Sequence, residues 1–251
     1  MKTKIEIKNL SVCYSGSCAL KKLNLTIYEH EVLAIIGPAN SGKSTFLKLM
    51  NRMIDLDFES SVTGQIYIDG INILEKKQHA DNIRKRIGMI FAVPIPLPMS
   101  ILDNMTYPLR LNGESCKTKM LTVTENCLKA AGLWNEVKDR LHQSAMSLSG
   151  GQQQRLCLAR ALTINPEIIL FDEPCSGLDP ISTANVEKTI QELKKDYTII
   201  LVTNNTKQAA RVSDRTAFFL SGDLIEIDRT DKLFTAPSQT KTEQYITGKF
   251  G

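Results

Sequence analysis

A glycine-rich segment between an apolar run and a helical run limits the folds that this chain can adopt. Residues 37–45 read GPANSGKST, and they follow the apolar run VLAII and precede TFLKLMNRM. This pattern, G-x-x-x-x-G-K-S/T between a strand and a helix, is the P-loop pattern of α/β folds. Its glycines let backbone N–H groups curl around phosphate oxygens, and the helix N-terminus adds a partial positive charge. A glycine-rich turn without a ligand is the alternative, which the flanking strand and helix disfavour.

The motif predicts that ATP and Mg²⁺ are bound along this segment. Lys43 would reach the β- and γ-phosphates, and the Ser44 hydroxyl would bind Mg²⁺. The predicted nucleotide-binding residues of the segment are Gly37, Pro38, Ala39, Asn40, Ser41, Gly42, Lys43, Ser44 and Thr45.

A pair of carboxylates supplies the second part of the predicted site. In IILFDEP, an apolar strand ends at Asp172 and Glu173, and ligands of open α/β sheets bind at the carboxyl ends of strands. We expect Asp172 to hold Mg²⁺ through water, and Glu173 to act as a general base on the attacking water. Ordinary surface carboxylates at a strand end are the alternative, which the P-loop elsewhere in the chain disfavours.

A second glycine pair opens another helix. Residues 146–162 read MSLSGGQQQRLCLARAL, and Ser149, Gly150, Gly151 and Gln152 would form a second anion-binding helix N-terminus. One nucleotide needs only one P-loop, so a second anion-binding helix N-terminus implies a ligand that two subunits share. The alternative is a helix start that is merely rich in small residues and binds no ligand. The segment resembles the signature of ABC ATPases. This resemblance implies a homodimer, in which the signature of one subunit closes over the γ-phosphate on the P-loop of its partner.

Two smaller features agree with this resemblance. SGLDP, residues 176–180, resembles the D-loop of ABC ATPases, which would place Asp179 near the dimer interface. Tyr14 stands where ABC ATPases stack an aromatic ring on adenine, so the resemblance adds it to the predicted nucleotide-binding residues. Its alternative role is that of a strand aromatic facing the core, because strands favour tyrosine.

The apolar patterns predict the fold class. KIEIKNLSV, LNLTIY and QIYIDG alternate or nearly alternate, which suits half-buried antiparallel strands. EVLAIIG, PEIILFDE and YTIILVT are continuous apolar runs, as in parallel sheets covered by helices. AFFLSGDLIEID has the pattern of a hairpin. Residues 101–162 have a helical pattern and follow three prolines, between Pro94 and Pro98, that exclude regular structure.

Together these features predict an α/β fold. We expect a P-loop NTPase core of the ABC type, a mixed sheet with flanking helices and an antiparallel β subdomain, with an inserted helical subdomain. One domain would cover residues 1–251, with a core lobe at about 1–92 and 163–251 and a helical lobe at about 93–162.

Composition excludes several other classes. The net charge of +4 is too small to argue for a nucleic acid partner, and the apolar runs are too short to cross a bilayer. The six cysteines show no C-x-x-C pair and no metal-ligand spacing. We therefore expect free thiols in a reducing cytoplasm.

Longer stretches narrow the resemblance. NRMIDL, MSILDNMTYPLRLNG, QAARVSDRTAFFL and the ending TEQYITGKFG resemble the ATP-binding subunits of bacterial phosphate-specific ABC importers. The resemblance implies an ATPase that energises phosphate import as a homodimer on two integral membrane permease subunits, and that works indirectly with a phosphate-binding protein. It would lie peripherally on the cytoplasmic face of the membrane. The cargo rests on the resemblance alone, since other subunits recognise it.

Two positions depart from the pattern of that family. Where this chain reads IFAVP the family usually reads VFQKP, so Ala92 replaces a glutamine that contacts Mg²⁺ and the attacking water. Where this chain reads VTNN the family reads VTHN, so Asn204 replaces the histidine that contacts the γ-phosphate and joins Glu173 as a predicted catalytic residue. Asparagine keeps an N–H donor but cannot carry the charge of an imidazolium.

We therefore expect normal ATP binding with reduced turnover. An ATP-binding regulatory paralogue with little hydrolysis is the alternative. A soluble ABC protein of DNA repair or translation is a third reading, and the absence of a long coiled-coil insertion and of a second ATPase cassette disfavours it.

Overall fold

The computed structural model describes residues 2–249, and its strands form two sheets. Phe250 and Gly251, which end the C-terminal resemblance, lie outside the described residues. The strands are, in chain order, β1 (Thr3–Tyr14), β2 (Ser17–Tyr28), β3 (Val32–Ile36), β4 (Ser60–Ile68), β5 (Ile71–Asn72), β6 (Ile87–Ile90), β7 (Ile168–Asp172), β8 (Thr198–Val202), β9 (Arg215–Leu220) and β10 (Asp223–Arg229).

The two sheets differ in strand direction. The first has the order β2-β1-β4-β5, and its strands pair antiparallel. The second has the order β10-β9-β3-β8-β7-β6 and is parallel from β9 to β6, while β10 returns antiparallel to β9 as a hairpin. All residues of β3 and β8 are buried, as expected for parallel strands covered on both faces. The predicted mixed sheet and antiparallel subdomain are confirmed.

Helices follow most of the strands and fill the chain between β6 and β7. In chain order they are α1 (Lys43–Met50), α2 (Ala80–Arg86), α3 (Ile101–Leu111), α4 (Lys117–Ala130), α5 (Trp134–Val137), α6 (Gly150–Leu162), α7 (Pro180–Leu193), α8 (Thr206–Val212), α9 (Thr230–Thr235) and α10 (Thr240–Ile246). Short 3₁₀ turns lie at Met53–Leu56, Lys138–Arg140 and Ala145–Ser147. Within residues 2–249, no helix combines the length and the apolar character needed to cross a membrane.

One strand of the parallel sheet gives little signal in the sequence. β6 is the four-residue run IGMI, it pairs with β7, and it leads directly into the proline-rich segment. Periodicity cannot distinguish so short an apolar run from the end of a helix. A Cβ on Gly88 would lie 3.6 Å from the side chains of Ala161 and Pro166, so β6 packs closely on the end of α6.

An ion-pair cluster connects the two sheets. Lys4 of β1 donates to Asp69 at 2.8 Å and to Glu167 at 2.7 Å. Arg86, at the end of α2, donates to Asp69 at 2.7 Å and to both oxygens of Glu167 at 2.7 and 2.8 Å. The hydrogen bonds from Arg86, with those from Lys4, lower the pKa of Glu167 to about 2. The carboxylate just before β7 is thereby tied to strands of the antiparallel sheet.

The expectation of free thiols is wrong for two of the cysteines. Cys13 and Cys18 form a disulfide across the β1–β2 hairpin, where they are paired in the antiparallel register. Their separation of 5 residues does not match a C-x-x-C spacing, but the hairpin turn brings the two side chains face to face. Four other cysteines are free: Cys116, Cys127, Cys157 and Cys175.

Candidate active site

The glycine-rich segment lies at the carboxyl end of β3, and two of its glycines have no room for a side chain. Gly37 has a φ of 154°, and a Cβ there would lie 2.2 Å from the Phe219 carbonyl oxygen. Gly42 has a φ of 99°, and a Cβ there would lie 2.4 Å from the Ala19 carbonyl oxygen. The segment approaches β9 and β2 so closely that only glycine fits at these two positions.

Lys43 begins α1 and is 6% exposed. Its ammonium donates to the carbonyl oxygens of Gly37 at 2.8 Å and Pro38 at 2.7 Å, and to Ser41 Oγ at 3.3 Å. Burial lowers the pKa of Lys43, and the charges of Glu173 and Asp172 at the end of β7 oppose that shift. A cation at the start of a helix, held against the loop before it, is placed to bind phosphate oxygens.

The Ser44 hydroxyl and the Asp172 carboxylate lie 3.4 Å apart, between the start of α1 and the end of β7. Burial raises the pKa of Asp172, while Ser44 and the charge of Lys43 lower it. Mg²⁺ prefers hard oxygen ligands, and it commonly takes only one or two from protein side chains while phosphate oxygens and water supply the rest. The donors present here therefore fit Mg²⁺.

Glu173 follows β7 in a left-handed backbone conformation, with a φ of 50°. Residues other than glycine adopt this conformation rarely, and such strain is concentrated at functional sites. Its backbone N–H donates to the Val202 carbonyl at 2.8 Å, which fixes Glu173 between the ends of β7 and β8. The side-chain amide of Asn204 donates to the carboxylate of Glu173, and both residues line a cavity of about 330 Å³.

The loop that carries Asn204 is anchored by its neighbours. The backbone N–H of Asn205 donates to Thr203 Oγ1 at 3.0 Å, and Asn205 Oδ1 accepts from the backbone N–H of Gln208 at 3.1 Å. Asn205 thus caps α8, a role for which asparagine is well suited. Asn204 itself is exposed, so its side chain is free of packing constraints other than its bond to Glu173.

Tyr14 ends β1 beside a cavity of about 480 Å³ that it shares with Asn40 and Thr45 of the glycine-rich segment. Its ring is half-buried and also packs against the core around β1, β2 and α1. Burial raises the pKa of Tyr14, and a hydrogen bond with Thr45 lowers it. Its position is compatible with both of the roles expected from the sequence, packing and contact with a base bound beside the loop.

The second glycine pair opens α6, and helices hold it in place. Ser149 and Gln152 form a capping box, in which each side chain accepts a bond from the backbone N–H of the other residue. Gln152 also donates to Glu136 at 2.8 Å. A Cβ on Gly151 would lie 2.5 Å from Ser182 Oγ, so the close approach of α6 to α7 requires glycine. Ser149 and Gly150 are exposed at this helix N-terminus, whereas Gly151 is buried, and anion binding here stays a prediction.

An apolar groove of about 350 Å³ lies next to Ala92, between the proline-rich segment and α6. Ile95 in this segment is 61% exposed, and exposed apolar surface of this kind marks interaction sites. Two side chains of α6 hold the segment: Arg160 donates to the Ile95 carbonyl at 2.9 Å, and Gln154 donates to the Phe91 carbonyl at 2.9 Å. The segment is therefore fixed to α6 on both sides of Ala92.

Two residues at the edges of this site gave no motif signal. Gln154 of α6 is only 2% exposed. The sequence shows it as one of three consecutive glutamines and does not indicate which of them is buried. Tyr245 of α10 stacks on Phe218 of β9, at a ring separation of 4.8 Å. Its place beside the start of the glycine-rich segment depends on tertiary packing across a long stretch of chain.

The chain is similar to known proteins both in sequence and in fold. The sequence profile of the family described as ABC transporter matches residues 20–176. The chain is 52% identical over 247 residues to "Phosphate import ATP-binding protein PstB 2" of Bacillus licheniformis, covering 98% of this chain and 90% of the relative. It is 52% identical over 250 residues to "Phosphate import ATP-binding protein PstB" of Bacillus anthracis, covering 100% and 92%.

Solved structures share the fold. CbiO1 of Clostridium perfringens, described as part of an ABC transporter complex, matches with a TM-score of 0.83 and 25% identity over 94% of this chain and 92% of that one. A bacterial Atm1-family ABC exporter with ATP bound matches with a TM-score of 0.81 and 22% identity over 100% of this chain and 42% of that one. The chain therefore belongs to the ABC transporter ATPases, and within them to the family of the phosphate import ATP-binding proteins.

Proposed function

We propose that this chain hydrolyses ATP to energise the import of inorganic phosphate by an ABC transporter. The observation that carries the proposal is the meeting of Lys43, Asp172 and Glu173 at the carboxyl ends of β3 and β7, beside the loop of Asn204. The cargo is taken from the 52% identical relatives, whose names specify phosphate import. Nothing in the chemistry of this chain selects the cargo, because the ATPase subunit does not touch it.

Each residue of the site has a role that follows from its position. Lys43 binds the terminal phosphates of ATP, and the backbone N–H groups of the glycine-rich segment bind phosphate oxygens. Ser44 and Asp172 hold Mg²⁺, which when bound neutralises charge that develops on the phosphates. Glu173 accepts a proton from the attacking water. Asn204 orients the Glu173 carboxylate through the amide bond that it donates.

An adenine contact at Tyr14 and the N-terminus of α6 complete the proposed site. Tyr14 contacts adenine at the cavity that it shares with the glycine-rich segment. Ser149, Gly150, Gly151 and Gln152 bind the γ-phosphate held by a second copy of the chain. Their contacts within one chain are with helices, so an open α6 N-terminus is available to a partner.

The partners follow from the apolar groove beside Ala92. We place two integral membrane permease subunits there, one on each copy of the chain, at the junction of a core lobe (about 1–92 and 163–251) and a helical lobe (about 93–162). The groove is apolar and exposed, and α6 ties it to the second glycine pair, so contact there can respond to nucleotide. This assembly puts the chain on the cytoplasmic face of the membrane and links it indirectly to a phosphate-binding protein.

A second candidate function is an ATP-binding regulator with little hydrolysis. It is favoured by Ala92, which has no polar side-chain atom, and by Asn204, which replaces the expected histidine.

Steady-state ATP hydrolysis by the chain assembled with its permease subunits separates the two functions. The proposed importer ATPase shows turnover that phosphate-loaded binding protein stimulates and that Glu173→Gln abolishes. A rate equal to that of Glu173→Gln, with ATP bound normally, would instead establish the regulator.

A further inference from the structure

The Cys13–Cys18 disulfide lies at the closed end of the β1–β2 hairpin, beside the cavity next to the glycine-rich segment. Cys13 immediately precedes Tyr14, the last residue of β1, and Cys18 is the second residue of β2. Cys18 and Tyr14 both line the cavity of about 480 Å³. The covalent bond therefore joins the two strand ends that form one wall of the proposed adenine site.

The β2 side of this disulfide is anchored to the glycine-rich segment. The Ala19 carbonyl oxygen lies so close to Gly42 that a Cβ there would approach it to 2.4 Å. The backbone N–H of Lys21 donates to the Gly222 carbonyl at 2.9 Å, and the backbone N–H of Gly222 donates in turn to the Ser41 carbonyl at 3.2 Å. These contacts hold the start of β2 whether or not the disulfide is formed.

The β1 side has weaker attachments. Tyr14 pairs with Ser17 and with Ser60, each of which is the first residue of its own strand. The next two residues, Ser15 and Gly16, form an exposed turn with φ values of 44° and 89°. Pairing at the ends of strands opens at a low cost in free energy. The disulfide, one residue before Tyr14, is therefore the bond that ties this end of β1 covalently to the anchored β2.

We propose that Cys13 and Cys18 form a thiol–disulfide exchange site that sets the affinity of the chain for adenine nucleotides. With the disulfide formed, the Tyr14 ring is held at the cavity, where it stacks on adenine. When a dithiol reduces the pair, the end of β1 opens and the ring is displaced, so ATP binds less tightly. The inference rests on the proposed function of the site, in which Tyr14 contacts adenine.

Reduction uses a dithiol as the second reactant. Both cysteines are partly exposed, so a small dithiol reaches the bond. A thiolate of the dithiol attacks one sulfur, the S–S bond breaks, and the other cysteine leaves as a thiolate that takes up a proton. The second thiol of the reductant then displaces the remaining cysteine. The dithiol ends as a disulfide, having passed two electrons and two protons to Cys13 and Cys18.

A disulfide that only stabilises the hairpin is the competing explanation. ATP and inorganic tripolyphosphate separate the two, because both carry three phosphates and only ATP carries a base. If reduction loosened the whole hairpin, the contact of Ala19 with Gly42 would change, and both ligands would bind more weakly. Displacement of the Tyr14 ring alone weakens the binding of ATP and leaves that of tripolyphosphate unaffected.

The measurement is the Kd of the parent chain for each ligand in the presence of Mg²⁺, before and after treatment with dithiothreitol. Mass spectrometry verifies the state of the two cysteines in each sample. Complete loss of stacking between a base and an aromatic ring weakens binding by roughly 5- to 150-fold. A displaced ring retains part of this contact, so we expect the Kd for ATP to rise about 3- to 10-fold on reduction, while the Kd for tripolyphosphate stays within about twofold.

The matched control is the double variant Cys13→Ser, Cys18→Ser, which keeps the four free cysteines. It should bind ATP like the reduced parent, and dithiothreitol should not change its Kd for ATP. An effect of dithiothreitol on this variant as large as that on the parent would overturn the proposal. If the variant does not fold, the two states of the parent still decide.

Equal Kd values for ATP in the two states of the parent would overturn this inference and leave the proposed function intact. An equal rise in the Kd for tripolyphosphate would also overturn it, and so would a parent in which both thiols stay free under non-reducing conditions. Absence of ATP binding in both states would overturn the proposed function, and this inference with it.

Discussion

The side-chain amide of Asn204 donates a hydrogen bond to the carboxylate of Glu173. Asn204, at the position where the resemblance to phosphate importers implies a histidine, is therefore in contact with the proposed general base. An amide can orient that carboxylate, but it does not ionise near neutral pH and cannot match an imidazolium in stabilising charge on the γ-phosphate. We therefore expect Asn204 to orient the Glu173 carboxylate but to contribute less to the rate of hydrolysis than a histidine would.

Replacing the two departing residues should raise turnover. Losing one preorganised hydrogen-bond donor typically lowers a reaction rate by about 10²–10³. The Asn204 amide recovers part of this loss. Asn204→His should therefore raise the single-turnover rate by up to about 10², with little change in the Kd for ATP. Adding Ala92→Gln should raise it further, and more than additively, because both side chains act on one transition state. A parent as fast as the double variant would show that Ala92 and Asn204 impose no cost.

ATP should drive the chain to form a homodimer when hydrolysis is blocked. Each chain has one P-loop and one open α6 N-terminus, and each composite site needs both. Sedimentation of Glu173→Gln should change from monomer to dimer on addition of ATP. The control is the double variant Lys43→Ala, Glu173→Gln. Loss of the phosphate-binding ammonium should sharply weaken ATP binding, so ATP should no longer convert the monomer to a dimer. A Glu173→Gln chain that stays monomeric at saturating ATP would contradict the shared site.

The ion-pair cluster at Glu167 should make stability depend on pH in the acid range. Hydrogen bonds from Arg86 and Lys4 lower the folded-state pKa of Glu167 to about 2, below the value of about 4.3 for an ordinary glutamate. The ionised carboxylate therefore stabilises the fold at pH values above its unfolded-state pKa. This contribution to stability is lost as the pH falls toward the folded-state pKa of about 2. The carboxylate is partly exposed and screened by solvent, so Glu167→Gln should lower Tm at pH 7 by only roughly 1–4 °C.

The test of this effect is the Tm difference between parent and variant, measured from pH 7 down to pH 3. The difference should shrink over that range. Glu125→Gln is the matched control, because Glu125 pairs with Lys129 on the exposed face of α4. If the Tm difference between the parent and Glu167→Gln stayed constant from pH 7 to pH 3, the lowered pKa of Glu167 would be refuted.

The cysteines should differ in their reaction with iodoacetamide under native, non-reducing conditions. Cys116 is exposed and should react first, whereas burial raises the pKa of Cys127 and of Cys175 to about 11 and leaves little thiolate in either. Cys13 and Cys18 should become labelled only after a reductant is added, because they form a disulfide. Mass spectrometry of the alkylated peptides with and without reductant checks this; equal labelling of Cys13 and Cys116 without reductant would contradict it.

The parts of the site that lie close together in sequence could be predicted, and those that depend on packing could not. The strand, loop and helix around Lys43, and the strand that delivers Asp172 and Glu173, are readable because local pattern determines each. Parallel strands also bring their carboxyl ends to one edge of a sheet, which places these residues together.

The missed features share a dependence on tertiary structure. β6 is too short for its period to be recognised. The Cys13–Cys18 disulfide arises from the register of a hairpin, and the stacking of Tyr245 on Phe218 arises from the packing of a C-terminal helix on β9. No residue spacing encodes contacts of this kind.

Transport itself tests the account most directly. The measurement is ATP-dependent movement of radioactive phosphate across the membrane of proteoliposomes that contain the permease pair, the phosphate-binding protein and this chain. We predict that phosphate moves only when ATP is supplied on the side of the chain, and that Glu173→Gln abolishes the movement although it still binds ATP. Phosphate movement that is the same with the parent chain, with Glu173→Gln and without ATP would contradict the account.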